Sequence, residues 1–224
     1  MRMRQRTTLV ATFVAVVAVL FATAAPSQAR PLFPNPAYAV GLDPRDLVVD
    51  DFNGDGALDA IVAAGAEAAV LVFFGRGDGT LEDPQALPVG GTPGELVAAD
   101  FDADGRTDLA VATRGGSGGG YVKVLLGNGT GGFSVVYNLL AGASITDLAA
   151  GEFNGDGRID LAATDSAGHA LVVAAGNGDG TFGPVTATPA GDDPVSVAAV
   201  DIDGDGRQEL AVAELSAAPS AIQR

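Results

Sequence analysis

Four stretches of this 224-residue chain carry oxygen donors on alternate residues: DFNGDGALD from Asp51, DFDADGRTD from Asp100, EFNGDGRID from Glu152 and DIDGDGRQE from Asp201. They hold fourteen carboxylates, half of the 28 in the chain. Two unit charges about 4 Å apart still repel by roughly 1 kcal/mol in bulk water, so such crowding calls for a cation. Calcium suits it, being a hard ion that takes about 6–8 oxygens at about 2.3–2.6 Å from carboxylates, amides and backbone carbonyls. In a tight loop the side chains at positions 1, 3 and 5 converge on one point. The position 6 glycine permits the turn that aims the position 7 carbonyl inward, and position 9 closes the cage.

The predicted ligands of the first loop are Asp51, Asn53, Asp55, the Ala57 carbonyl and Asp59, and those of the second are Asp100, Asp102, Asp104, the Arg106 carbonyl and Asp108. The third offers Glu152, Asn154, Asp156, the Arg158 carbonyl and Asp160, and the fourth Asp201, Asp203, Asp205, the Arg207 carbonyl and Glu209. Glu152 and Glu209 have longer arms, which predicts differently shaped third and fourth sites. An EF-hand would need a bidentate Glu at position 12, where this chain has Val62, Val111, Ala163 and Val212. A metal-free Asp/Gly turn explains one such stretch as well as calcium does; four copies in phase favour about four calcium ions.

The stretches are spaced by 49, 52 and 49 residues. A second motif keeps the same phase: FFGRGDGTL (73–81), LLGNGTGGF (125–133) and AAGNGDGTF (174–182). A shared period of about 50 residues marks a repeated unit, as in solenoids, propellers and arrays. Each unit has four short apolar runs divided by Gly, Asp and Pro, as in 147–153, 159–165, 170–176 and 181–189. None is long enough for a typical helix. The expected fold class is therefore all-β, a β-propeller of about 3.5–4 four-stranded blades. A leftover fourth strand is expected around Phe33 to Val40, and only two strands of a fourth unit follow Asp193, apart from a reduced third at Ala221-Ile222. This fits either an incomplete ring, whose unpaired blade edges invite self-association, or a small strained four-blade closure.

Residues 1–29 read as a cleaved signal peptide: Arg2, Arg4 and Arg6, an apolar run from Leu9 to Ala25, then Ser27-Gln28-Ala29, with cleavage expected after Ala29. The remaining domain, 30–224, keeps nine basic residues against all 28 acidic ones, a net charge of −19 that four calcium ions would bring to −11. Nucleic acid and anionic membranes are poor partners for that surface. The chain is expected to be secreted and extracellular, free of the membrane once cleaved. It has no cysteine, so no disulfide can replace a metal as cross-link.

The acidic loops and the in-phase GNGDGTF motif together resemble the FG-GAP or VCBS repeat family, found in integrin α subunits and in exported bacterial proteins. The resemblance implies a calcium loop between the first two strands of each blade and a usual ring of seven blades. It also implies an extracellular binding or adhesion module for a protein or polysaccharide, with no catalytic residue. Some enzymes of similar repeat content put active sites on propellers, so a calcium-assisted polysaccharide lyase or hydrolase is the alternative. Arg76-Gly77-Asp78 occupies the slot of Asn128 and Asn177 and reads as a hairpin turn. The only histidine, His169, lies in an expected turn with no nucleophile beside it in sequence.

Overall fold

Each acidic loop lies between two strands that pair antiparallel, and this hairpin seeds each sheet. The structure, a computed structural model, describes residues 37–114, 120–204 and 207–215. The chain divides into two compact units, Met1–Tyr38 and Ala39–Arg224, and all the described strands lie in the second. The expected signal peptide, Asp205 and Ala221-Ile222 lie outside the described residues.

All fourteen elements among the described residues are strands. Blade one is β1 (Pro44–Asp50), β2 (Asp59–Ala64), β3 (Ala69–Phe73) and β4 (Gln85–Pro88), hydrogen-bonded in that order. Blade two is β5 (Thr92–Ala99), β6 (Asp108–Arg114), β7 (Gly120–Gly127) and β8 (Phe133–Gly142). Blade three is β9 (Ile145–Gly151), β10 (Asp160–Asp165), β11 (Ala170–Ala174) and β12 (Thr186–Pro189). Two strands of a fourth blade follow, β13 (Pro194–Val200) and β14 (Glu209–Glu214). These are the up-and-down blades of a β-propeller.

Two strand predictions differ from the structure. Residues 37–40, the described part of the expected leftover strand, are not in a strand. The run 181–189 yields a strand only from Thr186; before it, Phe182 makes a single bridge to Gly176. Pro184 removes a ladder donor there, which confines pairing to its far side.

The core lies between the blades. Val70 and Val72 of blade one meet Leu109 and Val111 of blade two in one cluster, and blade two meets blade three through Val122, Val124, Leu161 and Val172. A smaller cluster joins Ala162 to Val197 and Val212. Central strands β2, β3 and β6 are buried on both faces over most of their length, which is why they read as continuous apolar runs and not as alternation.

The two repeated motifs are in phase because a buried carboxylate ties them together. Asp108 is fully buried, and its two oxygens accept the N–H groups of Phe101 (2.8 Å) and Gly127 (2.8 Å). Asp59 does the same with Phe52 (3.0 Å) and Gly75 (2.8 Å), and Asp160 with Phe153 (3.1 Å) and Gly176 (2.9 Å). The glycine is required for close approach: a Cβ on Gly75, Gly127 or Gly176 would lie 2.2, 2.4 or 2.1 Å from the carbonyl oxygen of Leu58, Thr107 or Ile159. The motifs also reach across blades. Phe52 meets Phe133 edge-to-face at 5.9 Å, and Phe101 meets Phe182 at 5.7 Å.

At the other end of the first strands, a β-bulge interrupts β1, β5 and β13 just after a proline, Pro44, Pro93 or Pro194, in the first two residues of each. Asp46, Glu95 and Asp147 occupy one repeat position there, on the adjacent strands β1, β5 and β9. Asp46 accepts the Leu96 N–H (2.8 Å) and Asp147 the Val197 N–H (2.9 Å), each a bond into the next blade. Glu95 lines a cavity with Arg45 and Arg114. Burial pushes its carboxyl up to about 7, and the Asp46 and Asp147 charges add to that against the pull of the two arginines.

Two predictions follow from these contacts. Gly127→Ala should destabilise the fold by about 2–4 kcal/mol in urea unfolding, because backbone atoms cannot move aside and the buried Asp108 would lose a partner; an unchanged midpoint contradicts the brace. Glu95 binds a proton more tightly folded than unfolded, so its contribution to stability is present at low pH and is lost as pH rises from 4.5 to about 7. Glu95→Gln should flatten that decline and leave the variant more stable than wild type at pH 8, as read by thermal midpoints across the range.

Candidate metal centre

The acidic loops are built by their own side chains. At position 1, Asp51 accepts the N–H groups of Gly54 (2.7 Å), Asp55 (3.1 Å) and Gly56 (2.8 Å), and Glu152 accepts those of Asn154, Gly155 and Asp156. Position 3 caps the backbone two residues on, with Asn53 accepting from Asp55, Asp102 from Asp104 and Asn154 from Asp156. Position 5 repeats the step: Asp55, Asp104 and Asp156 accept from Ala57, Arg106 and Arg158. Successive Asx turns of this kind wind the loop around its acidic side chains, and the last one fixes the peptide at position 7.

The winding needs left-handed backbone at positions 4 and 6. Gly54 (φ 74°) and Gly56 (φ 84°) supply it in the first loop, but position 4 of the second loop is Ala103, at φ 60°. An L-residue there costs about 1–2 kcal/mol.

In the second loop, donor oxygens of Asp100, Asp102 and Asp108 lie within 4.8 Å of one another, and in the fourth loop those of Asp201, Asp203 and Glu209 do the same. Two ligands of one calcium ion are at most about 5 Å apart, so both sets fit the ion by spacing and chemistry. The first and third loops form no such carboxylate cluster among the described residues. Their third position is an amide, and the Asn53 amide donates to Asp55 (2.9 Å) while the Asn154 amide lies against Asp160 (3.4 Å).

Position 5 is turned elsewhere in two loops. Asp104 pairs with Arg106 (3.0 Å) and Asp156 with Arg158 (2.6 Å). The N–H of Arg158, with its guanidinium, holds Asp156 below the usual carboxylate range. The second loop shows the opposite strain. Burial pushes Asp108 up to about 6 and the charges of Asp102 and Asp100 add to it, against the pull of the two brace N–H groups. Burial also raises Asp102, with the Asp104 and Asp100 charges adding. A cation among these groups would relieve the repulsion.

Sequence reasoning treated position 9 only as the closing ligand. The structure gives it a second role as the buried brace described above. Each of the aspartates Asp59, Asp108 and Asp160 stands 16 or 19 residues before its partner glycine, a spacing that a ligand role alone satisfies equally. In the hairpin loops, Arg76, Asn128 and Asn177 close tight turns by donating to the carbonyls of Thr80, Gly132 and Thr181, each 2.9 Å. Asp78 and Asp179 each accept a threonine hydroxyl at 2.6 Å, which lowers their pKa. His169 is an exposed turn residue at φ 52°.

The FG-GAP-like repeat profile matches residues 51–111, 100–163 and 152–212, each match running from one acidic loop into the next blade. The chain belongs to the FG-GAP repeat family. Each match is to a repeat, not to a catalytic family. A search of curated proteins finds no match. Among solved structures, the FG-GAP chain is similar to an Agrocybe aegerita lectin that recognises non-reducing terminal N-acetylglucosamine, at 22% identity and TM-score 0.52 over 76% of this chain and 46% of the lectin. It is also similar to BBS1N, solved in complex with ARL6DN and soaked with lead, at 14% identity and TM-score 0.53 over 82% of this chain and 53% of that one. It thus spans about half the length of the solved structures it matches.

The position 4 asymmetry gives a direct test. Ala103→Gly should stabilise the protein by about 0.5–1 kcal/mol in urea unfolding, and Gly54→Ala should cost about as much. Equal shifts in one direction for both substitutions would refute the left-handed requirement.

Proposed function

We propose that this FG-GAP protein is an exported, calcium-stabilised module that binds an extracellular polysaccharide or protein through its loop surface. The observation that carries the calcium assignment is the convergence of Asp100, Asp102 and Asp108 to within 4.8 Å in a loop wound by its own carboxylates. Asp201, Asp203 and Glu209 would hold a second ion. Asn53 and Asn154 oxygens would join the carboxylates of the first and third loops for two more. When bound, calcium supplies the positive charge that these loops lack. The chain itself winds the loop and anchors it to the sheet through the buried position 9 carboxylate.

Export is supported by the basic head, apolar run and small-residue site of residues 1–29, and a calcium-rich exterior is where weak sites of this kind are filled. The ligand class is supported by family and by shape. FG-GAP repeats suggest a propeller-type binding module, and the lectin of similar fold recognises a terminal sugar, so a glycan is the first ligand to test.

With free calcium at about tenfold Kd, each independent site contributes roughly 1.4 kcal/mol, and four contribute about 5–6 kcal/mol. That is on the order of 10–20 °C in Tm for a domain of this size. Thermal melts in millimolar calcium and in EGTA should differ by that amount, and superimposable melts defeat the stabilising role. A glycan array probed in calcium tests the ligand class separately.

A further inference from the structure

Each blade of the stack has a leading face turned to the blade before it and a trailing face turned to the blade after it. The seam between them is made three times within the chain, as β1 against β5, β5 against β9 and β9 against β13. The same repeat position on each leading face is Leu96, Leu148 and Val197 in blades two, three and four, exposed by only 5%, 6% and 6%. In blade one that position is Leu47, which is 44% exposed, and Val49 beside it is 53% exposed. At the opposite end of the stack, Val200 of β13 is 43% exposed and Ile202, in the loop that follows it, 39%, with Ala198 of β13 and Ala213 of β14 also exposed.

We propose that the trailing face of blade four receives the leading face of blade one from a second copy of this chain, so that two copies close head to tail into one ring. The contact continues an interface that the protein already builds three times, from the same repeat positions in the same register. The residues at the seam also match. Within the chain, the second residue of each of the first two acidic loops meets the last residue of the next blade's hairpin motif, as Phe52 with Phe133 and Phe101 with Phe182. At the outer seam the same positions are Ile202 and Leu81, aliphatic on both sides.

A pair is the smallest closed assembly that this contact allows, and the chain covers 46% and 53% of two larger chains of similar fold, which leaves room for a second set of blades of the same size. Two identical head-to-tail seams then close by two-fold symmetry, with no open end to propagate. Covering these faces also removes exposed apolar surface on the edge blades, the usual driving force for such association. The inference rests on FG-GAP blade stacking and not on the calcium assignment.

The experiment is sedimentation or light scattering on the full chain, purified with calcium at about 0.15 M ionic strength, where repulsion between acidic copies is screened. The expected mass is twice that of the chain. Val49→Arg alone and Val200→Asp alone should each fall to monomer while keeping the wild-type circular dichroism spectrum, since both positions are exposed. An equimolar mixture of the two variants should recover the dimer, because one seam of the mixed ring is then wild type and the other pairs Arg with Asp. A folded wild-type monomer at about 100 μM, well above the micromolar Kd range of weak complexes, overturns the proposal. So does a dimer that survives both substitutions, a mass that keeps rising with concentration, or a mixture that stays monomeric.

Discussion

The fold turns on a carboxylate held out of water. Asp59, Asp108 and Asp160 are fully buried or nearly so, and a buried charge is tolerable only when its lone pairs are satisfied. Each is satisfied by two N–H groups, one from the start of its own acidic loop and one from the second motif's glycine. The strand pairing that brings β3 beside β2 is therefore coupled to the shape of the loop before β2. Removing the carboxylate would orphan two donors at once, and adding a Cβ to the glycine would push the acceptor strand away. That coupling explains why two motifs more than a dozen residues apart keep one phase through the chain.

The brace also positions what faces outward. With position 9 fixed from below, positions 1, 3 and 5 can wind above it, and in the second loop positions 1 and 3 bring their oxygens close to that of position 9. Phe52 and Phe101, each one residue after position 1, carry the same rigidity sideways into the next blade through their edge-to-face partners Phe133 and Phe182. Polar bonds cross the seams as well. Thr107 of the second loop donates to Asp50 (3.0 Å), and the Glu152 N–H donates to Gln208 of the fourth loop (3.2 Å). The acidic loops thus sit on the seams between blades, and any ligand that tightens a loop also tightens the stack.

Much of this was legible in the sequence, and the misses have physical causes. Recurrence of the acidic loops gave the repeat, its length and the β-blades, because Gly and Asp punctuate hairpins and the apolar runs between them are too short for helices. The turn role of Arg76-Gly77-Asp78 was legible from its alignment with Asn128 and Asn177. The dual role of position 9 was not, since a buried brace and an exposed ligand are the same residue type at the same spacing. The acidic trio Asp46, Glu95 and Asp147 was not legible because its members come from three different repeats and two residue types, and only blade stacking brings them together. The pairing of Asp104 with Arg106 was likewise hidden, because position 7 is alanine in the first loop and arginine in the second, and the ligand spacing asks only for its backbone carbonyl.

That arginine bears on how the loops live without an ion. Arg106 and Arg158 reach back to the position 5 carboxylate of their own loops, and their side chains stay about half exposed, 50% and 46%. Exposed pairs of this kind contribute about 0–1 kcal/mol, far less than a divalent ion coordinated by several oxygens. The guanidinium offsets part of the repulsion among the loop's carboxylates. The first loop has Ala57 at that position and uses the Asn53 amide on Asp55 instead, a neutral donor where the second and third loops have a charged one. Residual loop charge consequently stays similar, about −3, −3 and −2 by formal count in the first three loops. A composition that varies from loop to loop in its acids, amides and arginines therefore converges on one electrostatic condition, a pocket short of two to three positive charges.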